Sequence, residues 1–197
     1  MKRAVPFALL ALAAAALAAA PASNEFSRAI AYYLIGDADL AQKYMDEHFA
    51  GRRQPTVRLA FALLLKDDKW EATKKFSDTL ESDHRNLEAL TGISLATADV
   101  GNTLAIDNLN KVLRMNPGYA PAYLCLGHEY AARGDFPAAE EHYARSLKYA
   151  AVPEFKILLA DLYLRAGDAQ KAFDLIRPDA DAAPGNYFFA LTAARAC

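Results

Sequence analysis

The sequence contains few of the residues that form disulfide bonds and few of the motifs that mark common active sites. Its 197 residues include nine glycines, one tryptophan and two cysteines, Cys125 and Cys197. Two cysteines cannot form the disulfide framework of small exported domains, and they do not make the spaced cluster of a zinc site. The sequence also lacks a glycine-rich phosphate loop and a nucleophile elbow. These absences argue against nucleotide-binding, zinc-binding and serine-hydrolase classes.

An excess of positive charge is missing as well. The chain has 22 Lys and Arg residues against 24 Asp and Glu residues, which gives a formal net charge of −2. The longest basic runs are the pairs Arg52-Arg53 and Lys74-Lys75. Because nucleic-acid binding depends on clustered cations that neutralise phosphates, we expect no nucleic-acid partner and no anionic membrane surface.

The longest apolar stretch lies at the N-terminus. Two basic residues precede an alanine-rich segment, residues 4–20, and the chain continues through Ala20-Pro21-Ala22 to Ser23. This order is typical of a secretory signal peptide, and the segment is short for the alternative, an uncleaved membrane anchor. We expect cleavage after Ala22, so that residues 1–22 are the signal peptide and residues 23–197 are exported to the periplasm or cell envelope.

Residues 120–153 contain one complete copy of a recurring unit of two helices and a turn. Its markers are Tyr123, Leu126-Gly127, Tyr130, Gly134-Asp135, Ala139, Tyr143 and Pro153. Gly127 and Ala139 are small where paired helices must approach closely. Gly134 can adopt the left-handed conformation that ends a helix, and Asp135 can cap the next one.

The alanine of the second helix recurs every 31 to 34 residues, at Ala41, Ala72, Ala105, Ala139 and Ala172. A large apolar residue follows four positions later, at Met45, Phe76, Leu109, Tyr143 and Ile176. A first-helix marker precedes the alanine by nine positions, at Tyr32, Leu63, Ala96, Tyr130 and Tyr163. The period predicts five copies, near 22–52, 53–85, 86–119, 120–152 and 153–186, and a partial sixth at 187–197.

Two copies depart from the pattern at their turns. The second copy has Asp67-Asp68 in place of a glycine turn, followed by Trp70, which we expect to pack inside. The third copy has Gly92-Ile93 in reversed order, and its Gly101 falls one residue late. We therefore expect a distorted turn in the third copy.

These markers resemble the tetratricopeptide repeat, whose pattern is W-x2-L-G-x2-Y, then A-x3-F, then P. The resemblance is to exported bacterial members and covers nearly all of residues 23–197. It implies an all-α fold, an α-solenoid of about five helix-turn-helix repeats plus a partial sixth, in which each pair buries its apolar face on its neighbours. It also implies a binding protein rather than an enzyme.

The only cluster that suggests chemistry is His128-Glu129 together with Glu140-Glu141-His142. It lacks the second histidine that a zinc-binding H-E-x-x-H helix requires one turn later. We therefore expect no catalytic site, no metal and no cofactor. His48 and His84, near helix ends, are interpreted as favourable charges at the negative end of a helix dipole.

The resemblance also implies where a partner binds, because the first helix of each tetratricopeptide repeat lines the concave face. The fifth, ninth and twelfth positions of a repeat, with one neighbour, correspond to Leu90, Ser94, Thr97, Leu124, His128, Ala131, Ile157, Asp161, Leu164 and Arg165. The clamp of Lys, Asn and Arg that well-known members use for C-terminal carboxylates is missing. The stripe favours a protein or peptide with hydrophobic anchors, bound with weak salt dependence, over a small-molecule substrate. On this basis Leu124→Asp or Ile157→Asp should abolish binding and leave helical content unchanged.

These observations favour a non-catalytic scaffold or adaptor in the cell envelope that binds a partner in its concave groove. The alternative is a regulatory or substrate-presenting module of a larger enzyme or assembly machine whose active part is outside this chain. A mainly structural, self-associating module is a third interpretation. The expected helix at 187–197 leaves Phe188 and Leu191 uncovered, so we expect them to contact another chain or a continuation of the sequence.

Overall fold

The structure is a computed structural model, and it describes residues 24–99, 103–182, 185 and 192–195. Ten helices follow one another in the described part up to Ala182, and no strand occurs in these ranges. They are α1 (Asn24–Ile35), α2 (Ala38–Phe49), α3 (Pro55–Leu65), α4 (Lys69–Ser82), α5 (Leu87–Ala96), α6 (Leu104–Met115), α7 (Ala120–Ala132), α8 (Phe136–Tyr149), α9 (Phe155–Arg165) and α10 (Ala169–Ala182).

Consecutive helices pack as five pairs, and every pair contacts the next. The predicted all-α solenoid is therefore confirmed.

None of the described helices has the length and apolar character needed to cross a membrane. Residues 192–195 are helical, and Arg195 forms an ion pair with Asp161 of α9 at 3.2 Å. The predicted signal peptide, Phe188 and Leu191 lie outside the described residues.

The alanines that revealed the period lie at the closest approach of each helix pair. All five are fully buried: Ala41, Ala72, Ala105, Ala139 and Ala172. The large apolar residues four positions later are also buried, since none is more than 2% exposed. In the fourth repeat, a Cβ atom on Gly127 would lie 2.5 Å from Cδ1 of Tyr143. A glycine at position 127 is therefore what allows the tyrosine ring to fill the space between the two helices.

Four of the turns within repeats have the same geometry. A residue just after the first helix has a positive φ angle, at Gly36 (93°), Asp67 (61°), Gly134 (78°) and Gly167 (83°). The aspartate that follows accepts a hydrogen bond from an amide three residues later, as Asp37 does from Leu40 at 2.9 Å. Its own amide donates to the carbonyl of the first-helix marker, as from Asp37 to Tyr32 at 2.9 Å. Asp67 thus replaces glycine without changing the turn. The predicted distortion at Gly101-Asn102 lies outside the described residues.

The reversed order of Gly92 and Ile93 has a packing reason. A Cβ atom on Gly92 would overlap the ring of Phe76, which is the large marker of the preceding helix α4. Phe76 is fully buried, and its ring lies 4.9 Å from that of Phe61 in an edge-to-face arrangement. The glycine of the third repeat therefore accommodates a ring of the second repeat, whereas Gly127 accommodates a ring of its own repeat.

The expectation that Trp70 packs inside is wrong. Trp70 is 72% exposed, with the Lys74 ammonium 5.5 Å from its ring centroid, because it lies in the first turn of α4 and on the outer surface. His48 lies in the last turn of α2, as expected, and it is buried there. Its ring lies 4.8 Å from that of Phe26, and its Nε2 atom is 3.5 Å from Oε1 of Glu88. Burial raises the pKa of Glu88, but the hydrogen bond from His48 and the charges of His48 and Arg52 lower it further.

The solenoid winds tightly enough for its first helix to contact its fourth and fifth repeats. Helix α1 packs against α7 and α9, which are the first helices of those repeats. The Tyr32 hydroxyl donates to Oε1 of Glu154, at the start of α9, over 3.3 Å, and the Arg28 Nε atom is 3.5 Å from the same oxygen. Helix α1 therefore lies on the concave face formed by the first helices.

The turn at Asp67 yields a prediction. Replacing Asp67 with glycine removes the steric penalty of a left-handed L-residue, although glycine also loses more backbone entropy on folding, so we expect a net gain of at most about 1 kcal/mol in the free energy of unfolding. Gly134→Ala, at the equivalent position with the opposite change, should lose about 1–2 kcal/mol. Urea unfolding measures both, and a destabilised Asp67→Gly would contradict this account of the turn.

Contact between α1 and α9 yields a second prediction. Glu154 is only 6% exposed, and its carboxylate faces Arg28 and Tyr32. Because Glu154→Ala removes a partner from these polar groups, it should cost about 1–3 kcal/mol in unfolding free energy. Glu141→Ala is the matched control, because Glu141 pairs with Arg145 on an exposed surface and its loss should stay within about 0.5 kcal/mol. Equal effects of the two substitutions would show that Glu154 does not hold α1.

Candidate binding site on the concave face

The predicted groove residues divide into two groups in the structure. Five are buried, none more than 5% exposed: Leu90, Ser94, Leu124, Ala131 and Ile157. The others are partly or fully exposed: Thr97, His128, Asp161, Leu164 and Arg165. The first helices pack on one another and on α1, so half of the predicted stripe belongs to the hydrophobic core. A role of these ten residues in partner binding stays a prediction.

The burial of Leu124 changes the meaning of its substitution. The side chain is fully buried in the main core cluster, so an aspartate at this position must lose its hydration or unfold the surrounding helices. The expectation that Leu124→Asp leaves helical content unchanged is therefore incompatible with this position. Accessible residues at the edge of the concave face are the better places to test binding.

Two clefts remain open where α1 meets α7 and α9, and each has a volume of about 240 Å³. The first, here named the Cys125 cleft, is lined by Tyr33, Leu34, Lys69, Leu95, Ala98, Asp99, Cys125, His128, Glu129, Ala132 and Arg133. The second, the Ile157 cleft, is lined by Leu34, Ile35, Ile157, Leu158, Asp161, Thr192 and Arg195. Leu34, in the last turn of α1, lines both.

The charged groups of the Cys125 cleft balance one another. Arg133 Nη1 lies 3.0 Å from Glu129 Oε2, and Lys69 and Asp99 supply one further charge of each sign. Burial raises the pKa of the Glu129 carboxyl, and the neighbouring Arg133 opposes this effect without overcoming it. In the Ile157 cleft, Asp161 and Arg195 form an ion pair at 3.2 Å. Both clefts are therefore formally neutral.

The reactive side chains of the Cys125 cleft are held in their unreactive forms. Burial, assisted by the negative charge of Glu129, raises the pKa of the Cys125 thiol well above its ordinary value. Burial raises the pKa of Tyr33 to about 12, and the charges of Asp67 and Cys125 act in the same direction. Since a thiol reacts as the thiolate, Cys125 is a poor nucleophile in this site.

Of the two histidines of the fourth repeat, His128 lines the Cys125 cleft and His142 lies outside both clefts. His142 stacks on Tyr130 at 5.2 Å with an interplanar angle of 5°, on the side of Tyr123 rather than in either cleft. Its pKa is lowered by burial and by Arg145, against the charge of Glu141. Among the residues that the structure describes, no three His, Cys, Asp or Glu side chains are grouped to hold a metal ion.

Several residues of this site were not predicted from the sequence. Tyr33 and Leu34 come from the first repeat, Lys69 from the second, and Arg133 from the turn of the fourth. The repeat pattern assigns every first helix the same groove positions, and it contains no signal that α1 folds back across α7 and α9. The degree of winding depends on how successive pairs pack, which a single repeat does not encode.

His128 yields a prediction about pH. Burial lowers its pKa below 6.5, the nearby Arg165 lowers it further, and Asp161 opposes them. A histidine with a depressed pKa stabilises the fold above its unfolded pKa, and this contribution is lost as the pH falls through the folded pKa. His128→Gln should therefore reduce the fall in melting temperature between about pH 7 and pH 5. His84→Gln, at an exposed position, is the control, and an unchanged pH profile for His128→Gln would contradict the assignment.

Comparison with known proteins places this geometry in a recognised fold. No protein-family model and no curated protein matches the sequence. Among solved structures, the chain is similar to TTC0263, a thermophilic tetratricopeptide-repeat protein of Thermus thermophilus, with a TM-score of 0.67 and 22% identity over 88% of this chain and 98% of that one. A tetratricopeptide-repeat protein from Parabacteroides merdae gives a TM-score of 0.60 and 16% identity, with coverages of 87% and 70%.

A third similar structure is PilW, described as a widely conserved type IV pilus biogenesis factor, with a TM-score of 0.59 and 18% identity over 85% of this chain and 80% of that one. At identities this low, the structural similarity establishes the fold alone. The helix pairs, the shared turn geometry and these likenesses together show that the chain is a tetratricopeptide-type α-solenoid.

Proposed function

We propose that this protein is a non-catalytic adaptor of the cell envelope that holds a partner protein or peptide at the edge of its concave face. The observation that carries the proposal is the pair of clefts on either side of Leu34, whose walls combine apolar side chains with charged and polar ones. Protein-binding grooves combine such apolar pockets with a polar rim. The site therefore has the composition of a recognition surface.

The state of the Cys125 thiol gives no support to nucleophilic catalysis in these clefts. Cys125 is buried with a raised pKa, so its thiol is protonated at neutral pH. His128 and Glu129 lie beside it on the polar side of the same cleft, where Glu129 is paired with Arg133.

The proposed location rests on the N-terminal segment. Residues 1–22 have the composition of a cleaved signal peptide, which directs a chain out of the cytoplasm. One structurally similar protein, PilW, is described as a pilus biogenesis factor, which supports an assembly role at the envelope for a chain of this fold. Export is tested by reading the N-terminus of the protein recovered from the envelope fraction, where Ser23 is expected.

Affinity capture from an envelope extract tests the proposed function. The wild-type mature chain should retain a partner that Leu34→Arg loses, because an arginine at this position places a charge between two neutral clefts. Leu59→Arg is the matched control, since Leu59 is an exposed leucine on α3, away from both clefts. Circular dichroism confirms that both variants remain folded.

The captured partner should also remain bound at high salt, because few unpaired charges contribute to the clefts. A partner that Leu34→Arg and Leu59→Arg retain equally would show that the binding surface lies elsewhere on the solenoid. Release by salt alone would point to a charged surface and would overturn the concave site.

A further inference from the structure

Helix α1 divides the concave face into two chambers instead of filling it. In its N-terminal half, Phe26, Ala29 and Ile30 are fully buried. Its last turn is only partly buried, and Leu34 projects between the Cys125 cleft and the Ile157 cleft. Both clefts open to the surface beside this one helix end.

The volume of each cleft indicates what it can hold. An apolar cavity of roughly 150 Å³, engineered in another protein, accepts a benzene molecule. At about 240 Å³, each cleft here has room for one aromatic or large aliphatic side chain. Neither cleft alone has the size of a typical small-molecule or cofactor site, which begins at roughly 300 Å³.

The charges around the clefts indicate the polarity of the ligand. Glu129 pairs with Arg133 at 3.0 Å, and Asp161 pairs with Arg195 at 3.2 Å. Because these groups neutralise one another within the protein, a charged ligand side chain would find no complementary partner among them. Apolar side chains of a ligand would contact Leu34, Leu95 and Ile157 in these walls.

We propose that the two clefts form one two-anchor peptide site. One large apolar side chain of the partner occupies the Cys125 cleft, a second occupies the Ile157 cleft, and the peptide backbone crosses Leu34 between them. This inference rests on the proposed function and specifies its ligand class: a segment with two large apolar residues separated by a short spacer. The charged residues of the rim contact the backbone and the spacer.

Panning a phage-displayed library of random dodecapeptides on the full mature chain tests the site. Selected peptides should share two large apolar residues at a constant separation. Replacing either residue with alanine should weaken binding by about 10-fold to 100-fold, the range expected for one buried large side chain. Binding should vary little with salt concentration.

Substitutions in the protein assign each anchor to its cleft. Ala132 lines the Cys125 cleft and is exposed, so Ala132→Trp should fill this cleft without disturbing the core. In that variant, truncation of one anchor should have no further effect, whereas truncation of the other should still weaken binding. Ala144→Trp, at an exposed position of α8 that lines neither cleft, should leave both effects intact.

Different failures identify which proposal is wrong. Selection of peptides with a single anchor, or with charged motifs only, would overturn the two-anchor site even where Leu34→Arg abolishes capture of an envelope partner. Equal sensitivity of both anchors in Ala132→Trp would also overturn it. An envelope partner that is insensitive to Leu34→Arg would instead overturn the proposed function, whatever peptides the library selects.

Discussion

The solenoid depends on the close approach of two helices at a fully buried alanine in every repeat. At Ala41, Ala72, Ala105, Ala139 and Ala172 the side chain is no larger than one methyl group, and four residues later a large apolar side chain fills the adjoining gap. A larger residue in place of the alanine would force the helices apart, and a smaller side chain four residues later would leave a void. This pairing sets the distance between helices, and the spacing of successive pairs then follows from it.

The departures from the repeat show which features are physically required. Asp67 adopts the left-handed conformation of the glycines in three other turns, and Asp68 still caps the next helix. The backbone geometry of the turn is thus kept when the residue type changes. Gly92, in contrast, is one position out of register because it lies under Phe76 of the preceding repeat. Glycine marks a close ring contact at this position, and the identity of the ring determines where the glycine must be.

The sequence predicts the local structure better than the shape of the whole. The helix pairs, the turns and the buried markers follow from a pattern that recurs five times, and each instance is decided by contacts within one repeat or between neighbours. The concave face is different. Its accessibility depends on α1 meeting α7 and α9, through contacts such as that between Tyr32 and Glu154, which are 122 residues apart in the sequence. The repeat pattern therefore identified Leu124 and Ile157 as groove residues but could not indicate that they are buried.

The same winding explains why the accessible part of the concave face is neutral and divided. Helix α1 crosses the space that an open groove would leave to a long ligand, and one cleft lies on each side of Leu34 in its last turn. Four charged residues at this edge form two ion pairs, Glu129 with Arg133 and Asp161 with Arg195. Long-range electrostatic attraction can contribute little to a site of this kind. In the two-anchor site that we propose, selectivity would then come from shape, through the size of the two clefts and the distance that Leu34 imposes between them.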